Sequence, residues 1–221
     1  MLDEKVVERW RNAVSGREAQ LERTREWYGR LFSLMADLRS PGGCPWDVEQ
    51  SLASLRQYIR EEADEVCQAI DDILEYENGL RQAHGMDSDN PQPPDGEEKA
   101  RTQKKGLSIA HHPHRADFRA EASASGAPLP AEISPADAAK LDELYAELSE
   151  EIGDLALQSA FLADILHGMG RGGLDQSLEL IVTKLVRRHP HVYGDREVQD
   201  SAEVLANWQQ IKAEEKKRIE P

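Results

Sequence analysis

This chain predicts an all-α helical bundle, on three observations. Apolar residues recur at three- and four-residue steps through several long stretches, no segment sustains an alternation of apolar and polar residues, and the breaks fall on Pro and Gly clusters. Val6, Trp10, Ala13 and Val14, followed by Trp27, Leu31, Leu34, Met35 and Leu38, mark one or two N-terminal helices, with about 1–30 forming an extension. The run Ser40-Pro41-Gly42-Gly43-Cys44-Pro45-Trp46-Asp47 interrupts the pattern and reads as a loop. A helix from about Ser51 to Glu77 follows, with the stripe Leu52, Leu55, Ile59, Val66, Ile70 and Ile73; Trp46 and Asp47 lead into it, and Asp47 is a candidate cap. A second long helix, from about Pro135 to His167, carries Leu141, Leu144, Leu148, Leu155, Ser159 and Leu162, with Ser134 or Asp137 as N-cap and Gly168 as stop. Leu174, Leu178, Ile181, Leu185 and Arg188 give a third, ended by His189-Pro190. The last spans Ala202 to Ile219, with Val204, Leu205, Trp208 and Ile211 on one face.

At 221 residues the chain suffices for one ordinary core and shows no second periodic block, so 1–221 is read as a single domain. From about 78 to 134 Pro, Gly, Ser and mixed charges dominate, which predicts a polar, largely disordered insertion. His111, His112 and His114 lie inside it, where a solvated reading is favoured over capture of a transition metal. The net charge of −15 argues against a nucleic-acid partner, since phosphate neutralisation needs clustered Lys and Arg. The start lacks the basic patch and apolar run of a signal peptide, and no stretch approaches a membrane helix. A soluble cytoplasmic protein is expected. Cys44 and Cys67 are far apart and form no CxxC, so neither a disulfide framework nor a zinc site is indicated; Cys67 reads as a small core residue.

The most informative feature is a set of acids in apolar places. Glu62 fills the gap in the first stripe between Ile59 and Val66, and Glu151 fills the gap in the second between Leu148 and Leu155. Residues three apart are neighbours on a helix, so Glu62 pairs with Glu65 and Glu151 with Asp154. Carboxylates drawn away from water are costly, and several together repel. A bound cation resolves both problems, and hard carboxylate oxygens suit Mg²⁺ or Mn²⁺.

With Glu61 the first helix reads EExxE (Glu61-Glu62-Ala63-Asp64-Glu65) and the second ExxD (Glu151-Ile152-Gly153-Asp154). These two segments, with Gly43-Cys44-Pro45-Trp46-Asp47, the run from Lys184 through Arg187-Arg188-His189-Pro190-His191 to Asp195, and Asn207-Trp208-Gln209-Gln210-Ile211-Lys212, resemble the MazG family of nucleoside triphosphate pyrophosphohydrolases. The match runs from about Leu31 to Lys216 outside the insertion. The resemblance implies an all-α bundle whose core is completed by dimerisation, which binds Mg²⁺ and cleaves a nucleoside triphosphate between the α and β phosphates. It implies Glu62, Glu65, Glu151 and Asp154 as metal ligands, and Lys184, Arg187 and Arg188 as nucleotide contacts.

It also sets Trp208 near the nucleotide, although core packing reads equally well. Tyr58 is either a pocket wall or packing. Glu61 either orients the attacking water or is a solvated helix residue, and Glu150 shares that ambiguity. A housecleaning role in the nucleotide pool follows from the resemblance alone. Relatives join the two acidic helices by a short connection, whereas this chain interposes the long polar segment. Two other readings compete. A dinuclear iron or manganese bundle would need ExxH elements, which both motifs lack. A non-catalytic nucleotide- or metal-sensing helical dimer would keep the ligands without turnover.

Overall fold

The computed structural model describes residues 3–86, 124 and 127–219, and every regular element among them is helical. The elements are α1 (Glu4–Ala13), α2 (Glu18–Leu38), α3 (Pro45–Glu49), α4 (Leu52–Ala83), α5 (Pro135–Gly168), α6 (Leu174–Arg188), α7 (Pro190–Tyr193) and α8 (Ser201–Ile219). Two compact units result: one spans Leu52–Gln158, the other joins Met1–Ser51 to Ser159–Pro221. The all-α class expected from periodicity is the one observed, and no described helix is long and apolar enough to cross a membrane.

The unit Leu52–Gln158 is built on α4 and the first part of α5. Its apolar interior comes from Leu55, Ala69, Ile73 and Leu80 on α4 and Leu141 and Leu144 on α5, at the three- and four-residue steps that put side chains on one helix face. Ser134 begins α5: its hydroxyl accepts the Asp137 backbone N–H at 3.1 Å and donates to Asp137 Oδ2 at 2.6 Å. The Tyr76 hydroxyl donates to Asp137 Oδ1 at 2.8 Å. The Ser134 bond, then the Tyr76 bond, hold the Asp137 carboxyl below its usual range. Since residues 76 and 77 meet 137 and 145 while residue 62 meets 151 and 154, α4 and α5 run antiparallel.

Glu77 sits fully buried in that pairing. Its Oε1 accepts the Tyr145 hydroxyl at 2.8 Å and the Ala124 backbone N–H at 2.9 Å, while Oε2 lies 3.7 Å from Nη1 of Arg81, itself buried. Arg81 Nη2 donates to Asn78 Oδ1 at 2.6 Å. Burial, reinforced by the Glu77 carboxylate, pushes the Tyr145 phenol from 10.0 up to about 12. A raised value favours the neutral phenol in the folded chain. Its contribution is therefore full below pH 10.0 and vanishes as the pH climbs towards 12.

The other unit places Val6 of α1, Met35 of α2, and Ala160, Phe161, Ala163 and Ile165 of α5 in its interior. Trp10 Nε1 donates to the Tyr193 hydroxyl at 3.0 Å, and the two rings meet edge-on, 6.2 Å between centroids. Arg39, just past α2, donates through Nε to Asp164 Oδ2 at 2.8 Å and through Nη1 to the carbonyls of Asp47 and Gln50. Gly43 permits the intervening turn, because a Cβ there would stand 2.2 Å from the Leu38 carbonyl oxygen.

Several elements depart from the sequence-based expectation. The segment Ser40–Asp47 is not loop throughout: Pro45 occupies the first turn of α3, a position that needs no backbone N–H. Gln50 is extended and ends α3, so Asp47 does not cap the acidic helix, which starts afresh at Leu52. That helix continues past Glu77 because Leu80 and Arg81 bury on the same face, and it stops where Gly85 adopts φ 67° and Met86 N–H returns to the Arg81 carbonyl. α5 ends at Gly168, as read, with Gly170 supplying the left-handed turn. Pro190 ends the helix before it and opens α7. Cys67 is exposed, so it is not the core residue expected. Residues 78–83 are helical rather than part of the insertion; His111, His112 and His114 lie outside the described residues.

Glu77→Ala should lower the unfolding free energy by about 3 kcal/mol, because Arg81 would be left buried without its counter-charge. The double change Glu77→Met with Arg81→Met should recover most of that loss in urea denaturation.

Candidate metal centre

In the unit Leu52–Gln158, α4 presents Glu62 towards Glu151 and Asp154 of α5, and one carboxylate oxygen from each lies within 4.8 Å of the other two. The antiparallel pairing causes this: Glu62, fourteen residues before Tyr76 on α4, comes level with Glu151, fourteen residues beyond Asp137 on α5. Glu151 is only 9% exposed, and Glu62 and Asp154 are half-buried. Oε2 of Glu62 and Oε2 of Glu151 are shut off from solvent. Three carboxylates this close repel unless a proton or a cation intervenes.

The donor set is all oxygen, with neither His nor Cys, and such a set suits Mg²⁺ or Mn²⁺ better than zinc or copper. The residues present therefore fit a hard divalent cation. Glu65 stands on α4 one turn beyond Glu62, half-buried, and outside the converging trio. Tyr58 is half-buried one turn before Glu62. Glu61 and Glu150 are exposed.

Lys184, Arg187, Arg188 and Trp208 belong to the other unit, where α6 packs on α8. Lys184 is half-buried. Arg187 donates through Nε to Glu215 Oε1 at 2.7 Å, and Arg188 donates through Nε to Glu215 Oε2 at 3.1 Å. The Arg188 guanidinium carbon lies 5.4 Å from the centre of the Trp208 ring, and His189 meets that ring edge-on at 5.1 Å. Asn207 is buried beside it in sequence, with its Nδ2 unbonded among the described residues. The Arg188 bond first, then Arg187, hold the Glu215 carboxyl down at about 2 from 4.5. Because that value is lowered, the stabilisation is present above pH 4.5 and is lost as the pH falls towards 2.

Sequence reasoning missed Glu215 and the Glu77–Arg81–Tyr145 network. A signal existed for Glu215: it follows Trp208 by seven residues, two helical turns, and so shares its face.

The fold and the trio define an all-α protein with a carboxylate cluster whose donors suit a divalent cation. Residues 131–193 match the family model of the MazG nucleotide pyrophosphohydrolase domain. It is 30% identical over 188 residues to a nucleoside triphosphate pyrophosphohydrolase of Escherichia coli (strain K12), covering 85% of this chain and 45% of that protein. It is 26% identical over 189 residues to the nucleoside triphosphate pyrophosphohydrolase/pyrophosphatase MazG of Thermotoga maritima, covering 86% and 45% respectively. An uncharacterized Bacillus subtilis protein, YabN, is 29% identical over 193 residues, 87% of this chain and 25% of its own length. The chain thus spans less than half the length of these relatives. No solved structure matches it.

Glu151→Gln removes one of three converging charges. The metal-free variant should melt at the same temperature as the natural chain or higher, and a Mg²⁺- or Mn²⁺-induced rise in Tm should disappear; calorimetry in chelator and in excess metal reads both. Acid titration makes a second check. The Tm difference between the natural chain and Glu215→Gln should be full above pH 4.5 and shrink as the pH falls towards 2.

Proposed function

We propose that this protein hydrolyses nucleoside triphosphates to nucleoside monophosphate and pyrophosphate in a Mg²⁺-dependent reaction. The convergence of Glu62, Glu151 and Asp154 is the observation that carries the reading. The Escherichia coli and Thermotoga maritima relatives, which are named nucleoside triphosphate pyrophosphohydrolases, support it. Glu62, Glu151 and Asp154 would hold the cation, with Glu65 as a fourth ligand on the family pattern. When bound, Mg²⁺ (or Mn²⁺) supplies charge neutralisation at the phosphates and acidifies coordinated water.

In the reaction, a water oxygen bonds to the α-phosphorus, the bond from that phosphorus to the oxygen bridging to the β-phosphate breaks, and pyrophosphate leaves with the electron pair. The water proton passes to a base. Glu61, exposed next to Glu62, is assigned the orientation of that water. Lys184, Arg187 and Arg188 are assigned to the phosphates, where a guanidinium supplies a fork and an ammonium a point charge. Trp208 and Tyr58 are assigned to the walls of the nucleoside pocket.

Dimerisation is part of the proposal. Ile70 on α4 and Ile152 on α5 are 39% and 55% exposed, apolar surface that a second copy would cover. The net charge of −15 supports a free nucleotide rather than a nucleic acid as partner. A cytoplasmic role in clearing surplus or noncanonical nucleotides completes the reading.

Purified protein with a panel of nucleoside triphosphates should release pyrophosphate with Mg²⁺ and not in chelator. Glu62→Gln should cut that rate by about a hundredfold or more, a few kcal/mol of lost transition-state stabilisation. Nucleotide binding without Mg²⁺-dependent product would instead establish a sensing protein.

A further inference from the structure

We infer that Glu215 is a positioning residue for phosphate recognition: it braces Arg187 and Arg188 by one edge of each guanidinium and leaves the opposite edge to meet an anion. This rests on the reading of α6 as a triphosphate-binding helix. Arg187 meets Glu215 Oε1 through Nε at 2.7 Å and Nη2 at 2.6 Å. Arg188 meets Oε2 through Nε at 3.1 Å and Nη2 at 2.5 Å. Each carboxylate oxygen therefore serves one arginine, and each arginine is held side-on.

A guanidinium carries five N–H donors; side-on binding consumes one from Nε and one from Nη2 in Arg188, while in Arg187 Nε donates and Nη2 is in ionic contact with the same oxygen. The remaining Nη1–H and Nη2–H form a second parallel pair, the end-on fork that matches two phosphate oxygens. Among the described residues neither Nη1 takes a hydrogen bond. The two arginines and one carboxylate leave one positive charge in excess, so the cluster still attracts an anion.

Trp208 completes the brace from the same face of α8. Its ring lies 5.4 Å from the Arg188 guanidinium carbon, two turns before Glu215. Arg188 is accordingly well covered, at 14% side-chain exposure, while Arg187 stays 53% exposed. Without Glu215, two adjacent like charges on long side chains would spread over many rotamers, and a ligand would have to order them on binding. The depressed Glu215 carboxyl agrees with a brace that is ionised at any physiological pH.

The test compares the full-length natural chain with Glu215→Ala and Glu215→Gln, using inorganic triphosphate binding by calorimetry, kcat and KM for a nucleoside triphosphate, and far-UV circular dichroism. Glu215→Ala should weaken triphosphate binding and raise KM by about tenfold, with kcat nearly unchanged, from the lost ordering of two arginines. Glu215→Gln, with one acceptor oxygen, should fall between. Unchanged or tighter triphosphate binding by Glu215→Ala overturns the proposal, because the carboxylate would then be an inter-helix tie or a competitor of the ligand. If circular dichroism shows Glu215→Ala unfolded, Glu215→Gln decides on the same readouts. A natural chain that binds triphosphate but releases no pyrophosphate defeats the hydrolase reading alone, since the binding comparison still decides Glu215. A natural chain that binds no triphosphate defeats both.

Discussion

Mutual repulsion among Glu62, Glu151 and Asp154 is the constraint on which the rest of the acidic unit depends. Three carboxylate oxygens within 4.8 Å, two of the side chains with an oxygen shut off from water, are held together in part because the helices carrying them are pinned elsewhere. The pins are visible at the far end of the pair. Tyr76 bonds Asp137, Tyr145 bonds Glu77, and Ile73, Leu80, Leu141 and Leu144 bury beside them. Apolar contact and neutral-to-charged hydrogen bonds at one end thus offset an unfavourable concentration of charge at the other, a division of labour common where stability is given up for function.

Much of this was legible because helical periodicity makes omissions visible. Glu62 and Glu151 stand out only because apolar residues occupy the steps on both sides of each, and the same stripes located the start of α4 and both ends of α5 to within a residue. Glu65 follows the same spacing but lies outside the trio, since spacing along one helix does not determine what the partner helix brings opposite. The extent of α4 was underread for the opposite reason. Glu77, Asn78 and Gly79 look like the onset of a polar segment, and only the opposing Tyr145 and the buried Arg81 make Glu77 an interior residue. At five residues α3 is too short for any period to appear, although Pro45 was a usable start signal. Glu215 sits within Glu214-Glu215-Lys216-Lys217, where only its two-turn spacing from Trp208 separates a brace from a solvated face.

The likeness to the MazG domain bears unevenly on the chain. The family model covers 131–193, from the approach to α5 through α7, and so includes Glu151, Asp154, Lys184, Arg187 and Arg188 but not Glu62. The acid on α4 joins the site on geometric grounds, and the pairwise likeness to the longer relatives extends over most of the chain. The long segment between α4 and α5 does not disturb the helix pairing, in keeping with the weak dependence of loop closure on length.

The buried Glu77 has a consequence for how the helix hairpin endures changes in its surroundings. Its hydroxyl partner on Tyr145 keeps its proton until about pH 12, so across every physiological condition the carboxylate faces a donor and never a second anion. The clasp that aligns the acidic helices is therefore insensitive to ordinary alkalinity.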